Sequence, residues 1–144
     1  DEGPQDILIM ARTDARGVEG LEEAIARCIA FVEAGADITF LEAPLSEAEM
    51  VRYCREVPGV RMVNMLPSGK TPMLPHKRLE EMGFHIAAYP LTLLSAGLKA
   101  QMEALRRLRE DQETDSLQLD FEQLKDVVGF NDYYREEERY KTWA

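Results

Sequence analysis

The sequence is short of basic residues, of cysteine and of long hydrophobic runs, and each shortage excludes a class of function. It has 17 Lys and Arg against 27 Asp and Glu, a net charge of −10. Contacts with phosphate groups need clustered basic side chains, so this balance argues against a nucleic-acid partner and against an anionic membrane surface. The longest apolar runs are far shorter than the roughly 18 residues that a membrane span needs, which argues against a transmembrane segment.

The two cysteines, Cys28 and Cys54, lie inside helical patterns and have no CxxC or metal-type partner. This usage predicts buried or half-buried free thiols in a reducing compartment. No signal-peptide pattern is present. The two observations together favour a cytoplasmic location, and an organellar matrix is also compatible with them.

Four apolar runs each end in a polar residue, and a helical pattern follows each run. A run of this kind bounded by turn signals is typical of a buried strand, and strand–helix–strand crossovers make neighbouring parallel strands. The pattern predicts an α/β fold of four βα units, which is half of a (β/α)8 TIM-type barrel. The C-terminal ends of the strands would then form an active-site rim. The predicted strands cover 7–11, 36–41, 60–65 and 84–89, and the polar residues at their exits are Arg12, Glu42, Asn64 and Tyr89.

Between the strands, the periodicity predicts helices over about 19–34, 46–57, 75–82 and 92–110. Ser46 with Glu49 three residues later predicts a capping box for the second of them. The pattern changes after residue 110, where a polar stretch leads into two short helices over 121–128 and 130–143. We therefore predict four βα units over residues 1–110 and a linker with a helical extension over 111–144.

The helical extension is rich in aromatic side chains, which have to pack against something. Packing on the chain's own barrel and packing on another subunit are both open. The aromatic residues of the last helix are Phe130, Tyr133, Tyr134, Tyr140 and Trp143.

Arg12 and Glu42 are the charged residues at two successive strand exits. A guanidinium at this position can hold a carboxylate or a phosphonate by two parallel hydrogen bonds. A carboxylate there can bind a metal directly or through water, accept a substrate proton, or balance the arginine. The alternative is a structural Arg12–Glu42 ion pair with no catalytic role. Asp14, two residues further on, suits an N-cap better than a role in orienting Arg12.

Asn64 and the loop after it supply further polar groups. A buried amide needs partners, and those of Asn64 would be a ligand oxygen or a neighbouring loop backbone. The segment Ser68-Gly69-Lys70-Thr71 could bind an anionic group through its backbone amides and the lysine, although it lacks the spacing of a P-loop. His76 reads as a solvated helix start, and His85 as a hydrogen-bonded structural histidine.

Several motifs occur in order and together carry a resemblance to a known family. They are Ile9-Met-Ala-Arg-Thr-Asp-Ala15, Gly35-Ala-Asp-Ile-Thr-Phe-Leu-Glu-Ala43, Asn64-Met65 with Gly69-Lys-Thr-Pro72, Tyr89-Pro-Leu91 and Val128-Gly-Phe-Asn-Asp-Tyr-Tyr134. With these motifs the sequence resembles the isocitrate lyase / phosphoenolpyruvate mutase superfamily over nearly its whole length. It looks most like the methylisocitrate lyase, dimethylmalate lyase and oxaloacetate hydrolase branch.

The resemblance implies a fold and a set of partners. It implies the C-terminal half, strands 5–8, of a (β/α)8 barrel whose terminal helices are swapped between subunits in a dimer or tetramer. It also implies Mg²⁺ as cofactor, with ligands mainly in an absent N-terminal half-barrel, and a small carboxylate as substrate. The start at Asp1 without a methionine is interpreted as an internal cut. We therefore expect this chain alone to be inactive and to need the N-terminal half as its partner.

The resemblance also implies residue roles. Arg12 would clamp the substrate carboxylate, Glu42 would lie near the metal and substrate, reaching the metal through water at most, and Asn64 would be a polar contact from the seventh strand. Residues Ser68, Gly69, Lys70 and Thr71 would bound the pocket. Cys28 and Cys54 do not match the family's catalytic cysteine.

The function implied is part of a Mg²⁺-dependent C–C lyase or hydrolase. It would act on small 2-hydroxy or 2-oxo di- and tricarboxylates through an enolate-like intermediate. A phosphonate-forming mutase or phosphonate hydrolase of the same superfamily is one alternative, and a non-catalytic half-barrel module is another.

Overall fold

The fold is that of a computed structural model, which describes residues 7–141. The predictions for the first residues of the chain and for Trp143 lie outside this range. Within residues 7–141, four strands and six α-helices follow one another, with short 3-10 helices at Ala15–Gly17 and Asp115–Leu117. Their bounds are β1 Met10–Thr13, α1 Leu21–Glu33, β2 Ile38–Leu41, α2 Glu47–Glu56, β3 Val60–Asn64, α3 His76–Met82, β4 Ile86–Ala88, α4 Thr92–Arg109, α5 Phe121–Val127 and α6 Phe130–Tyr140.

The four strands form one parallel sheet in the order β1-β2-β3-β4. Each strand pairs with the next along the chain, and a helix crosses over between them, as in repeated βα units. The predicted α/β class and the parallel arrangement are confirmed.

The first strand begins later than the sequence predicts. Ile7, Leu8 and Ile9 precede β1 and are 67%, 68% and 61% exposed. Ile9 nevertheless accepts hydrogen bonds from the backbone N–H groups of Asp37 and Ile38, at 3.0 and 3.1 Å. The apolar run therefore extends beyond the paired strand, because β2 begins only at Ile38. As a result Arg12 lies inside β1 and not after it.

The two faces of the sheet carry different apolar clusters. One face packs against the helices and includes Leu41 and Val63 with the fully buried Tyr53 of α2. Tyr53 donates a 2.9 Å hydrogen bond to the Thr39 carbonyl and lies 2.8 Å from the Thr39 hydroxyl, so its polar tip is satisfied. The other face holds a smaller cluster, formed by Ile38, Phe40 and Met62.

Both cysteines lie in the helix-facing cluster, where burial raises the pKa of Cys28 to about 12 and that of Cys54 to about 11. Both are free thiols, as predicted.

The helix ends show which local signals were correct. Gly83 ends α3 in the left-handed conformation. The Ser46 hydroxyl accepts a 3.2 Å hydrogen bond from the Glu49 N–H at the start of α2. The predicted capping box is only half formed, because the Glu49 carboxylate accepts from Leu45 N–H and from Arg16 instead. A complete capping box occurs at α5, between Asp120 and Gln123.

The chain divides into two compact units, 1–95 and 96–144. The division falls inside α4, and the predicted boundary at residue 110 stays a prediction. Among the described residues of the second unit, Thr114 is the only buried one. Within residues 7–141, no helix is both long and apolar enough to cross a membrane.

Candidate active site

The parallel register brings the polar strand exits to one edge of the sheet. Arg12 pairs with Phe40, and Phe40 pairs with Met62, so these positions form one row across the sheet. Side chains alternate between faces along a strand. Two residues beyond Phe40 and Met62, Glu42 directly follows β2 and Asn64 is the last residue of β3, at the strand ends where the sequence predicted them.

Arg12 is held by three neighbours of different kinds. Its Nε and Nη2 donate to the two carboxylate oxygens of Asp14, at 2.9 and 2.8 Å. Nη2 also lies 3.4 Å from Oε2 of Glu42, and the guanidinium sits 4.9 Å from the centre of the Phe40 ring. A cation over an aromatic face at this distance is attracted by the ring. The guanidinium plane is therefore fixed before any ligand binds.

Asp14 orients Arg12 and does not cap a helix. It occupies the N-cap position of the 3-10 helix, but its side chain makes no capping hydrogen bond. The hydrogen bonds from Arg12 hold the pKa of the Asp14 carboxyl below its usual value and raise the pKa of Arg12. The prediction that favoured capping was wrong, because the guanidinium offers two charge-assisted donors where the short helix offers one neutral N–H.

Glu42 and Asn64 extend the contact to the third strand. The Asn64 amide donates to Oε2 of Glu42 at 3.3 Å, the same oxygen that faces Arg12. The Glu42 side chain is 28% exposed and that of Arg12 is 48% exposed, so the chain of contacts stays open to solvent. The Arg12–Glu42 ion pair exists, as the structural alternative predicted, and it lies on the wall of a cavity.

The loop after β3 turns sharply before it reaches this cavity. Gly69 N–H donates to the Leu66 carbonyl at 2.9 Å, and Ser68 has a φ of 62°. Proline in second place and a positive φ in third are features of a type II turn. A Cβ at position 69 would lie 2.9 Å from the Leu66 carbonyl oxygen, so this position requires glycine.

The cavity has a volume of about 390 Å³ and is lined by most of the predicted residues. Ser68 is not among them, and its role as a substrate contact stays a prediction. The sequence did not single out Gly17, Ala43 and Leu66, which also line the cavity and carry no chemically distinctive side chain. The predicted residues that line it are Arg12, Glu42, Asn64, Gly69, Lys70 and Thr71.

The side chains of Arg12 and Lys70 place positively charged hydrogen-bond donors on the cavity wall. Arg12 uses Nε and Nη2 for Asp14, so within residues 7–141 its Nη1 has no hydrogen-bond partner. Lys70 forms no ion pair with any residue that the structure describes. The cavity therefore offers N–H donors and positive charge at two places on its wall, which suits an anionic ligand.

The described residues do not by themselves fit a magnesium site. Residues 7–141 contain no group of three or more His, Cys, Asp or Glu side chains placed to hold a metal ion. On the cavity wall Asp14 and Glu42 both face the guanidinium of Arg12.

The histidines lie apart from the cavity. His76 is the exposed first residue of α3, as predicted. His85 is exposed, and its Nδ1 accepts a 3.3 Å hydrogen bond from the Arg61 backbone N–H, which confirms a structural contact.

The fold and the cavity define a parallel α/β protein with a charged, polar cavity at the C-terminal ends of its strands. The phosphoenolpyruvate phosphomutase family model matches residues 1–109. The chain belongs to this family, within the isocitrate lyase / phosphoenolpyruvate mutase superfamily.

Alignments with several named relatives extend over almost the whole chain. The 2,3-dimethylmalate lyase of Eubacterium barkeri is 37% identical, over 95% of this chain and 48% of its own length. The chloroplastic carboxyvinyl-carboxyphosphonate phosphorylmutase of Arabidopsis thaliana is 39% identical over 97% and 43%. The 2-methylisocitrate lyase of Aeropyrum pernix is 41% identical over 90% and 43%. The chain spans about half the length of the curated relatives it matches.

Solved structures of enzymes from the same superfamily also superpose on the chain. A crystal structure of 2,3-dimethylmalate lyase superposes with a TM-score of 0.84 at 30% identity, over 94% of this chain and 46% of that one. Oxaloacetate acetylhydrolase in complex with its product oxalate superposes with a TM-score of 0.82 at 27% identity, over 91% and 45%. The chain thus corresponds to about half of each of these TIM-barrel enzymes, and its parallel sheet is consistent with part of a barrel.

Proposed function

We propose that the complete protein cleaves a carbon–carbon bond next to a carboxylate in a small 2-hydroxy or 2-oxo acid, and that this chain supplies the carboxylate-binding part of the site. The observation that carries the proposal is the Nη1 of Arg12 on the cavity wall, which has no hydrogen-bond partner among residues 7–141. The names of the related lyases and of the oxaloacetate acetylhydrolase support the choice of substrate class.

The proposed role of each residue follows from its contacts. Arg12 binds a substrate carboxylate through Nη1, while Asp14 holds the guanidinium in place. Lys70 supplies a second positive charge for a second carboxylate or for developing enolate charge. Glu42 and Asn64 hydrogen-bond to each other and so hold the ends of β2 and β3 together at the cavity wall. Magnesium, the remaining catalytic groups and the N-terminal half-barrel belong to the proposal through the resemblance, and the chain alone would then be inactive.

A phosphonate-forming mutase is the second candidate. It is supported by the phosphomutase family model and by the chloroplastic phosphorylmutase relative. The same arginine would then hold a phosphonate oxygen through Nη1, because phosphonate oxygens also accept charge-assisted hydrogen bonds. The third hypothesis is a non-catalytic half-barrel module, which predicts no turnover of carboxylates or phosphonates.

The test is a kinetic comparison of the complete gene product with its Arg12→Ala variant. Substrates would be 2-hydroxy di- and tricarboxylates and a phosphonate, each with magnesium and with a chelator. We expect kcat/KM for the carboxylate to fall about 10- to 100-fold, because a hydrogen bond to a charged group contributes about 1.5–3 kcal/mol.

Arg27→Ala is the matched control, since Arg27 forms ion pairs on α1 and does not line the cavity. An unchanged kcat/KM in Arg12→Ala would contradict the carboxylate assignment. Turnover of the phosphonate alone would favour the mutase, and turnover of neither would favour the module.

A further inference from the structure

An ion pair outside the cavity joins the two chain segments that carry Arg12 and Glu42. Arg16 donates from Nε to one carboxylate oxygen of Glu49 at 2.8 Å and from Nη2 to the other at 2.7 Å. Their side chains are only 19% and 18% exposed. Two parallel hydrogen bonds in a partly buried setting fix the relative orientation of both groups.

On one side, the pair holds the turn that follows β1. Arg16 lies in the 3-10 helix directly after Asp14, and Gly17 N–H donates to the Asp14 carbonyl at 3.1 Å. Asp14 in turn receives both hydrogen bonds from Arg12. The position of Arg16 therefore determines where the carboxylate that orients Arg12 can lie.

On the other side, the pair holds the segment that follows β2. Oε2 of Glu49 also accepts a 2.8 Å hydrogen bond from the Leu45 N–H. Between Glu42 and Leu45 the chain passes through Ala43 at a φ of 56°, a left-handed conformation that residues with a Cβ rarely adopt. Glu49 thus ties down the far end of a strained turn that begins at Glu42.

We propose that Arg16 and Glu49 are positioning residues that set the separation of Arg12 and Glu42 and thereby the affinity of the cavity for a carboxylate. The inference rests on the proposed carboxylate site. Neither Arg16 nor Glu49 lines the cavity, so each acts through the residues that do.

The chain offers a second ion pair between the same two βα units for comparison. Arg52 of α2 donates from Nη1 and Nη2 to the two carboxylate oxygens of Glu22 on α1, at 2.7 and 3.1 Å. This pair also joins the first two βα units by two hydrogen bonds, but neither of its residues adjoins the segments 12–17 or 42–46. Glu22 is 79% exposed and Glu49 18%, so replacing Glu22 shows the effect of losing a more exposed ion pair between these units.

The experiment measures oxalate affinity by calorimetry and steady-state kinetics on the complete gene product. The variants are Glu49→Gln, Arg16→Gln, Arg16→Lys and the control Glu22→Gln. We expect the Kd for oxalate to rise at least tenfold in Glu49→Gln and Arg16→Gln, with the loss of kcat/KM appearing mainly in KM. Arg16→Lys should recover part of the affinity because it keeps the charge. Glu22→Gln should bind oxalate as the unmodified protein does.

Arg12→Ala separates this inference from the proposed function. If Arg12→Ala loses oxalate affinity while the Arg16 and Glu49 variants match Glu22→Gln, the positioning role is wrong and the carboxylate site stands. If Arg12→Ala binds oxalate unchanged, both are overturned. Should Glu49→Gln fail to fold, the comparison of Arg16→Lys with Arg16→Gln decides, since equal affinities would contradict positioning.

Discussion

At the scale of single residues, Arg12 shows what the sequence can and cannot predict about a site. Its place beside Glu42 and Asn64 was predictable, because parallel strands bring their C-terminal ends to one edge. The attachment of Asp14 to Arg12 was the less favoured alternative, since local sequence rules relate an aspartate first to the backbone that follows it. The choice between capping and binding a guanidinium depends on how β1 turns, and no sequence pattern reports that.

The two cysteines give a prediction at this scale. Burial raises the pKa of Cys28 to about 12 and that of Cys54 to about 11, and the thiolate is the reactive form. We expect iodoacetamide at pH 8 to label both at least tenfold more slowly in the folded protein than in urea. Mass spectrometry of peptides would follow each site separately.

The raised pKa values of Cys28 and Cys54 also make the free energy of unfolding depend on pH. A folded-state pKa above the unfolded value means that the unfolded chain loses these protons first as pH rises. Their contribution to stability is therefore complete below about pH 9 and is lost between about pH 9 and 12. A Cys28→Ala, Cys54→Ala double variant should lose this part of the alkaline destabilisation, and an identical profile would contradict the assignment.

At the scale of elements, helices were predicted better than strand beginnings. The periodic helices are found within a few residues of the predicted bounds because their apolar spacing and glycine stops act locally. The start of β1 depends on where β2 can pair, which is a tertiary fact. The left-handed conformation of Ala43 was also beyond sequence reasoning, because it lies next to the buried Pro44 and to a turn that Glu49 contacts at Leu45 N–H, which are tertiary features.

The cap of α2 yields a prediction at the scale of elements. Removal of the Ser46 hydroxyl by Ser46→Ala leaves the Glu49 N–H without its acceptor. Such a change at an N-cap costs about 1 kcal/mol of folding free energy. Urea unfolding of the complete gene product should show this loss.

Ser46→Asp serves as the control, because a carboxylate at the N-cap can accept the same hydrogen bond. We expect it to retain the stability of the unmodified protein. Equal losses in both variants would show that the hydroxyl makes some other contact.

At the scale of the whole molecule, the two compact units differ in what they bury. The first contains the apolar core, whereas α4, α5 and α6 hold no buried residue within 92–140. Phe130, Tyr133 and Tyr134 form an exposed aromatic group on α6, with ring centres 5.7–6.0 Å apart. The aromatic-rich last helix is found as predicted, and its packing in a homo-oligomer by swapped C-terminal helices stays a prediction.

Light scattering on the complete gene product tests that prediction. We expect a dimer or tetramer, and we expect the Phe130→Asp, Tyr134→Asp double variant to shift it towards the monomer, because two charges would enter an apolar contact. Arg135→Ala, on the same helix and 75% exposed, is the control. An oligomer unaffected by the double variant would place the interface elsewhere.

The order of the strands in the sheet has a consequence for how the cavity is assembled during synthesis. Every strand pairs with its predecessor in the chain, and the contacts among Arg12, Glu42 and Asn64 join consecutive βα units. A ribosome delivers these units in that same order, N-terminal first. Arg12 can therefore meet Glu42 once β2 has emerged, and Asn64 joins them with β3 while the C-terminal helices are still being translated. The polar edge of the cavity can therefore form one βα unit at a time, with each new strand pairing to the strand before it.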